Sequence, residues 1–96
     1  MATAKKGAVT TLLVGKLRIT PEAWNQVDED AIFISFTRHL TGDWGNLDEH
    51  DWKANDDAIQ YGGRVLSSYK DKNETRFWII TEADRSSTTI LLPEEY

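Results

Sequence analysis

The stretch RVLSSYKDKNETRFWIITEADRSSTTILL, residues 64–92, decides the fold. Residues 64–70, 76–81 and 87–92 are rich in β-branched and aromatic side chains, and each run is short enough to be one strand. Between them lie two polar groups, Asp71-Lys72-Asn73-Glu74 and Ala83-Asp84-Arg85-Ser86, whose aspartates and serine suit turns that bond their own backbone. Connections this short favour antiparallel neighbours, so the stretch predicts a three-stranded meander. Pro93 has no amide with which to continue the last strand, which leaves Glu94-Glu95-Tyr96 as a terminal tag.

Upstream of the meander, Gly62-Gly63 reads as the terminator of a helix capped by Asp48, with Leu47 as its staple, running through Trp52, Asn55, Ala58 and Ile59 to Tyr61. Gly42-Asp43-Trp44-Gly45 is a loop, since neither helical nor strand period survives between the two glycines. Before it, a helix capped by Asp28, Glu29 or Asp30 and running to about Leu40 would align Ile32, Phe33, Phe36 and Leu40 on one face. The same apolar run, residues 31–36, also suits a buried strand. Thr20-Pro21-Glu22 starts a short helix over 22–27, with Thr20 as cap and Pro21 at the first helical position. Residues 12–19 alternate as a strand whose far end faces solvent.

The predicted order is therefore β-α-α-α-β-β-β: an α+β domain with a three- to four-stranded antiparallel sheet and two or three short helices packed on one face. With 96 residues the chain builds one core, over 11–96, preceded by a flexible tail over 1–10. Cysteine is absent, which excludes disulfides and thiolate metal sites. A cytoplasmic setting is the expectation from that absence, and no targeting segment is read, since Lys16 and Arg18 interrupt the N-terminal apolar stretch before a signal-peptide core or membrane span is complete.

Charge is unevenly distributed. Residues 28–57 hold nine acidic side chains against Arg38 and Lys53, a net of −7 in a chain whose total is −5. If the helices are as read, Asp48, Glu49, Asp51, Asp56 and Asp57 lie at a helix start and on its outward face. Such a surface attracts basic partners. Asp43 and Trp44 in the glycine-flanked loop join this candidate partner-binding set. Trp44 has two readings: a plug between the helices and the sheet, or an anchor at a binding surface. Trp78 and Trp52 are expected in the core.

A competing constellation is catalytic: His39 moving protons, Arg64 and Arg85 steadying a phosphorane, and Ser67 with Thr88 or Thr89 supplying hydroxyls. Against it stands the acidic balance, since nucleic-acid binding normally needs a basic footprint. His39 and His50 both lie near carboxylates, but their spacing fits no zinc or calcium signature, so no metal and no cofactor is expected. A third reading uses Lys5, Lys6, Lys16 and Arg18 as a short basic arm on DNA.

Over residues 19–96 the chain resembles a family of small proteins encoded on bacterial plasmids and integrative elements, some labelled as type I restriction subunits. The resemblance rests on Arg38-His39-Leu-Thr-Gly42-Asp43-Trp44-Gly45, on Asn55, on Gly63-Arg64-Val-Leu-Ser67-Ser-Tyr69, and on Trp78-Ile-Ile-Thr81-Glu82-Ala-Asp84-Arg85-Ser-Ser-Thr88-Thr89-Ile-Leu-Leu-Pro93-Glu-Glu95-Tyr96. It implies a mobile-element setting and no defined mechanism. The chain is too short for a methylase or specificity subunit, and it has no Gly-rich cofactor loop. The expectation is a non-enzymatic accessory protein whose acidic face mimics nucleic acid and binds a basic or nucleic-acid-binding host protein, such as a restriction or CRISPR-type nuclease. The alternative is a small nuclease or toxin-like enzyme. Neither a membrane nor direct nucleic-acid contact belongs to the leading reading, and the edge strand near 12–19 leaves a homodimer open.

Overall fold

A computed structural model describes residues 12–96; the expected tail over 1–10 lies outside the described residues. The elements run β1 (Lys16–Ile19), α1 (Pro21–Gln26), α2 (Glu29–Leu40), α3 (Glu49–Tyr61), β2 (Val65–Lys70), β3 (Arg76–Thr81), β4 (Ser87–Leu91) and a closing 3₁₀ turn, Pro93–Glu95. The α+β class and the order β-α-α-α-β-β-β are as read from the sequence. The sheet, ordered β1-β4-β3-β2, is mixed: β2, β3 and β4 form the antiparallel meander, whereas β1 runs parallel to β4. An all-antiparallel sheet was the expectation. It fails because β1 joins the far edge through three intervening helices rather than a hairpin, so no turn dictates its direction.

Each helix begins where a side chain takes up its free amides. Thr20 accepts from Ala23, Asp28 from Ala31 and Asp48 from Asp51. The segment 31–36 is thereby helix, not strand. Its buried face, however, is Ile32, Ser35 and His39, while Phe33 and Ile34 stand in solvent. The expected face through Phe33 is corrected: the buried row at i, i+3 and i+7 contains two polar residues that apolar counting passes over.

Alternation along the strands turns Val65, Ser67, Tyr69, Phe77, Ile79, Thr81, Thr88, Ile90 and Leu92 to the helices, all of them buried. One core cluster joins Tyr69, Phe77, Ile79, Ile90 and Leu92 to Ala23 and Val27 from α1 and its end and to Ile32 of α2. A second joins Leu12, Trp44, Ala58 and Val65. Full burial of a side chain such as Phe77 or Ile79 contributes about 1.5–3 kcal/mol relative to exposure. Tyr69 reaches from the first cluster to the Gly42–Gly45 loop, where its hydroxyl donates to the Asp43 carbonyl.

The two sheet edges differ. On β2, Ser68 pairs with the loop through its amide to the Trp44 carbonyl and its carbonyl to the Asn46 amide. Next along the edge, Asn55 of α3 accepts from the Leu66 amide and donates to its carbonyl, so a side chain stands in for a neighbouring strand. The β1 edge carries Lys16, Leu17 and Arg18, all exposed. The last residues form no loose tag, contrary to expectation. Glu95 accepts from the Leu92 amide and the Thr20 hydroxyl, and Tyr96 packs edge-to-face on Trp78.

Candidate functional site

The catalytic constellation is only half assembled. α2 places His39 directly over the sheet, and β2 presents Ser67 to it: His39 Nδ1 lies 2.5 Å from Ser67 Oγ. Nε2 lies 2.9 Å from Thr81 Oγ1, which lies 2.7 Å from Thr88 Oγ1, and Thr88 donates to the Val14 carbonyl. Counting protons assigns the tautomer. Thr88 has one hydrogen and gives it to Val14, so Thr81 must donate to Thr88 and accept from Nε2–H. Nδ1 is then the acceptor for the Ser67 hydroxyl. The imidazole is neutral with both nitrogens satisfied, and burial depresses its pKa to about 4.

His39, Ser67, Thr81 and Thr88 are all buried, His39 to 0% exposure. No substrate reaches them in this conformation. Arg85 lies elsewhere: it donates to the Ala58 and Gly63 carbonyls and so closes the C-terminal end of α3, from a left-handed backbone position with φ of 62°. Arg64 lies on the far side of the sheet, its guanidinium 5.2 Å from the centre of the Tyr96 ring. The proposed catalytic group of His39, Arg64, Ser67 and Arg85 is therefore not one site, and the buried pair is a polar strut between α2 and three strands.

The loop residues of the acidic set are also structural. Trp44 is 1% exposed, packs edge-to-face against His39 and donates its indole N–H to Asp56. Its role as a surface anchor is thereby corrected, and the plug reading describes it. Asp43 binds Arg38 through two hydrogen bonds of 2.7 and 3.1 Å and accepts from the Gly45 amide. The Arg38 hydrogen bond is the main cause that holds its carboxyl below the ordinary aspartate range. Arg38 in turn lies over the Tyr69 ring. Gly45 has to be glycine, since its φ is 79° and a Cβ would strike the Ser68 carbonyl and the Tyr69 ring.

What remains as an accessible acidic surface is α3. Asp48, Glu49, Asp51, Asp56 and Asp57 are all exposed, against Lys53, which pairs with Asp57. Ligand atoms of Asp48, His50 and Asp51 come within 4.8 Å of one another, but all three side chains are exposed and Asp48 already accepts from the Asp51 amide. Among the described residues, no helix is long and apolar enough to cross a membrane.

Two residues outside the sequence-derived sets organise the scaffold. Asn55, read from the sequence as a helix position and as part of the family resemblance but given no role there, seals the β2 edge. Asp71 is buried in the β2–β3 turn and accepts from the amides of Asn73, Thr75 and Asp28, tying that turn to the start of α2. Burial alone would raise its pKa, but the three amides outweigh that and lower it. Its turn setting was visible in the sequence, whereas its reach to Asp28 spans 43 positions and was not. No protein-family model, curated protein or solved structure matches the chain.

Proposed function

We propose that this is a non-enzymatic binding protein that presents the carboxylates of α3 to a basic surface of a host protein. In the mobile-element setting implied by the family resemblance, that partner is a nucleic-acid-handling enzyme, such as a restriction or CRISPR-type nuclease, whose groove the acidic helix occupies. One observation carries the reading: α3 and its Asp48 cap expose five carboxylates against a single lysine, whereas the histidine and hydroxyls that chemistry would need are sealed and mutually bonded. Fixed carboxylates on a rigid helix raise the association rate of a basic partner, and salt weakens that attraction.

Glu49→Lys with Asp51→Lys tests the idea while leaving the Asp48 cap and the Asp56–Trp44 bond in place. The wild-type protein should compete with DNA for a captured nuclease at low salt, and the double variant should lose that competition with an unchanged thermal melt. Equal competition by both proteins refutes the reading.

A further inference from the structure

The face of the sheet turned away from the helices is built differently from the rest of the molecule. Strand alternation and register place on it Lys16 and Arg18 from β1, Ser87, Thr89 and Leu91 from β4, Arg76, Trp78 and Ile80 from β3, and Leu66, Ser68 and Lys70 from β2. None of these strand positions is acidic. Arg64, just before β2, reaches the same face through the Tyr96 ring. Five of the chain's 11 cationic side chains thus gather here, in a protein whose net charge is −5.

Their pairing state matters as much as their number. Lys70 is tied to Glu74. Among the described residues, Lys16, Arg18, Arg64 and Arg76 form no salt bridge. Glu82, just past the end of β3, follows the same alternation and is exposed, while Glu95 is bonded to the Leu92 amide and the Thr20 hydroxyl. Within this cationic frame lies an aromatic group: Trp78, half-buried, meets Tyr96 at 5.7 Å, and Tyr96 is 61% exposed beneath the Arg64 guanidinium.

We propose that this face binds single-stranded nucleic acid, with bases stacking on Tyr96 and Trp78 and phosphates meeting Arg18, Arg76, Lys16 and Arg64. One exposed aromatic ring, Tyr96, backed by the half-buried Trp78 of the sheet and flanked by cations that form no salt bridge among the described residues, matches the two features of a single strand that do not depend on sequence: its base planes and its phosphates. Four strands about 4.8 Å apart spread these groups over roughly 14 Å, enough for a few nucleotides. The acidic carboxylates of α3 belong to the helical side, and solvent at physiological salt screens charge over about 8 Å. The overall negative charge therefore does not cancel the field of this face. The proposal is independent of the acidic-helix reading; if both hold, the protein bridges a strand and a basic enzyme.

The test is fluorescence anisotropy of the full chain with labelled oligothymidylate and oligouridylate of about 15 nucleotides, near the upper site size of one small domain. The two probes separate DNA from RNA preference. Both should bind more tightly than a duplex of the same length. Tyr96→Ala should weaken binding about tenfold, as expected when one base no longer stacks. Arg18→Gln with Arg76→Gln should lower the slope of log K against log salt by about 0.7 for each phosphate that is no longer neutralised. All three substituted side chains are exposed, so the circular dichroism spectrum should be unchanged; Tyr96→Ala gives up the edge contact with Trp78 and should lower the melt slightly, whereas Arg18→Gln with Arg76→Gln should leave it in place. Glu49→Lys with Asp51→Lys should bind the strand at least as tightly as wild type, which separates this test from that of the acidic helix.

Absence of binding at low salt overturns the proposal, as does indifference to Tyr96→Ala. Equal displacement by polyglutamate would assign the face to an acidic protein instead. A salt-sensitive dimer that excess oligonucleotide leaves intact would assign it to a second copy of this chain.

Discussion

Acid should loosen this protein through a single imidazole. His39 is neutral in the folded state and its pKa is held near 4, against an ordinary value of 6.5, because protonation would place a charge in a buried site whose acceptors are already engaged. As pH falls below about 6.5, the unfolded chain binds a proton at His39 that the folded chain refuses, so stability is complete above that range and drains away towards pH 4. Each pKa unit corresponds to 1.36 kcal/mol, which gives a loss of about 2 kcal/mol by pH 5 and about 3 kcal/mol by pH 4. The other depressed groups act lower. Asp43 and Asp71 contribute stability above the ordinary aspartate pKa and lose it as pH falls through their lowered folded values, so their window opens only below about pH 4. Urea unfolding from pH 7 to 4, carried out in a His50→Gln background so that one imidazole remains, isolates the effect. His39→Gln in the same background should be less stable at pH 7 and flatter with pH. If that variant fails to fold, the histidine ring resonances of His50→Gln provide the same reading, since the His39 ring should not titrate above about pH 5. A ring that titrates near 6.5 in the folded protein, or a flat stability profile between pH 7 and 4.5, refutes the assignment of the buried neutral tautomer.

Two further outcomes follow from the scaffold. Asn55→Ala removes both side-chain bonds to Leu66 and leaves a strand-edge amide and carbonyl without that partner. It should cost about 2–3 kcal/mol in chemical denaturation and speed hydrogen exchange at the Leu66 amide. Gly45→Ala forces a Cβ into the Ser68 carbonyl at a left-handed backbone position, and should lower the melting temperature by at least about 5 °C with loss of the Trp44 fluorescence environment.

Most of the fold was legible because local rules agreed with one another. The meander announced itself through short turns and β-branched runs, and the helix starts through Thr20-Pro21, the run Asp28-Glu29-Asp30 and Asp48; Thr20, Asp28 and Asp48 are the caps found, and only the choice within the acidic run was left to the structure. The direction of β1 was not legible, since no hairpin ties it to a neighbour and its pairing with β4 spans more than 70 positions. The buried face of α2 was hidden for a related reason. Hydrophobicity favours Phe33 over Ser35 and His39, and it is the facing hydroxyls of Ser67 and Thr81 that satisfy the buried His39 ring. Chemistry inferred from residue type alone had the same weakness: His39 and Ser67 do meet, but in a sealed layer that makes them structural. Of the two readings of Trp44 the plug is the one found, whereas Trp78, expected in the core, is half-buried on the opposite face of the sheet beside the buried Ser68, Ile80 and Leu91.

That placement of Trp78 bears on where the protein presents itself to others. A four-stranded sheet has two faces, and here the helices cover one of them, leaving Lys16, Arg18, Arg76 and Tyr96 of the other at the surface. If that second face were only a solvated exterior, strand positions there would need only to be polar, and carboxylates would suit them as well as cations. Instead the strand positions carry cations and no carboxylates, while a tryptophan and a tyrosine share the same face at a cost in exposed apolar surface. The acidic residues are concentrated on the helical side, where several cap helices or hold Arg38 and Trp44. Segregation of this kind sets Lys70 opposite Arg76, where Glu74 offsets the charge of Lys70 and Arg76 forms no salt bridge among the described residues. Cations set around an aromatic pair, with no carboxylate at the strand positions between them, are better explained by what the surface meets than by what it supports.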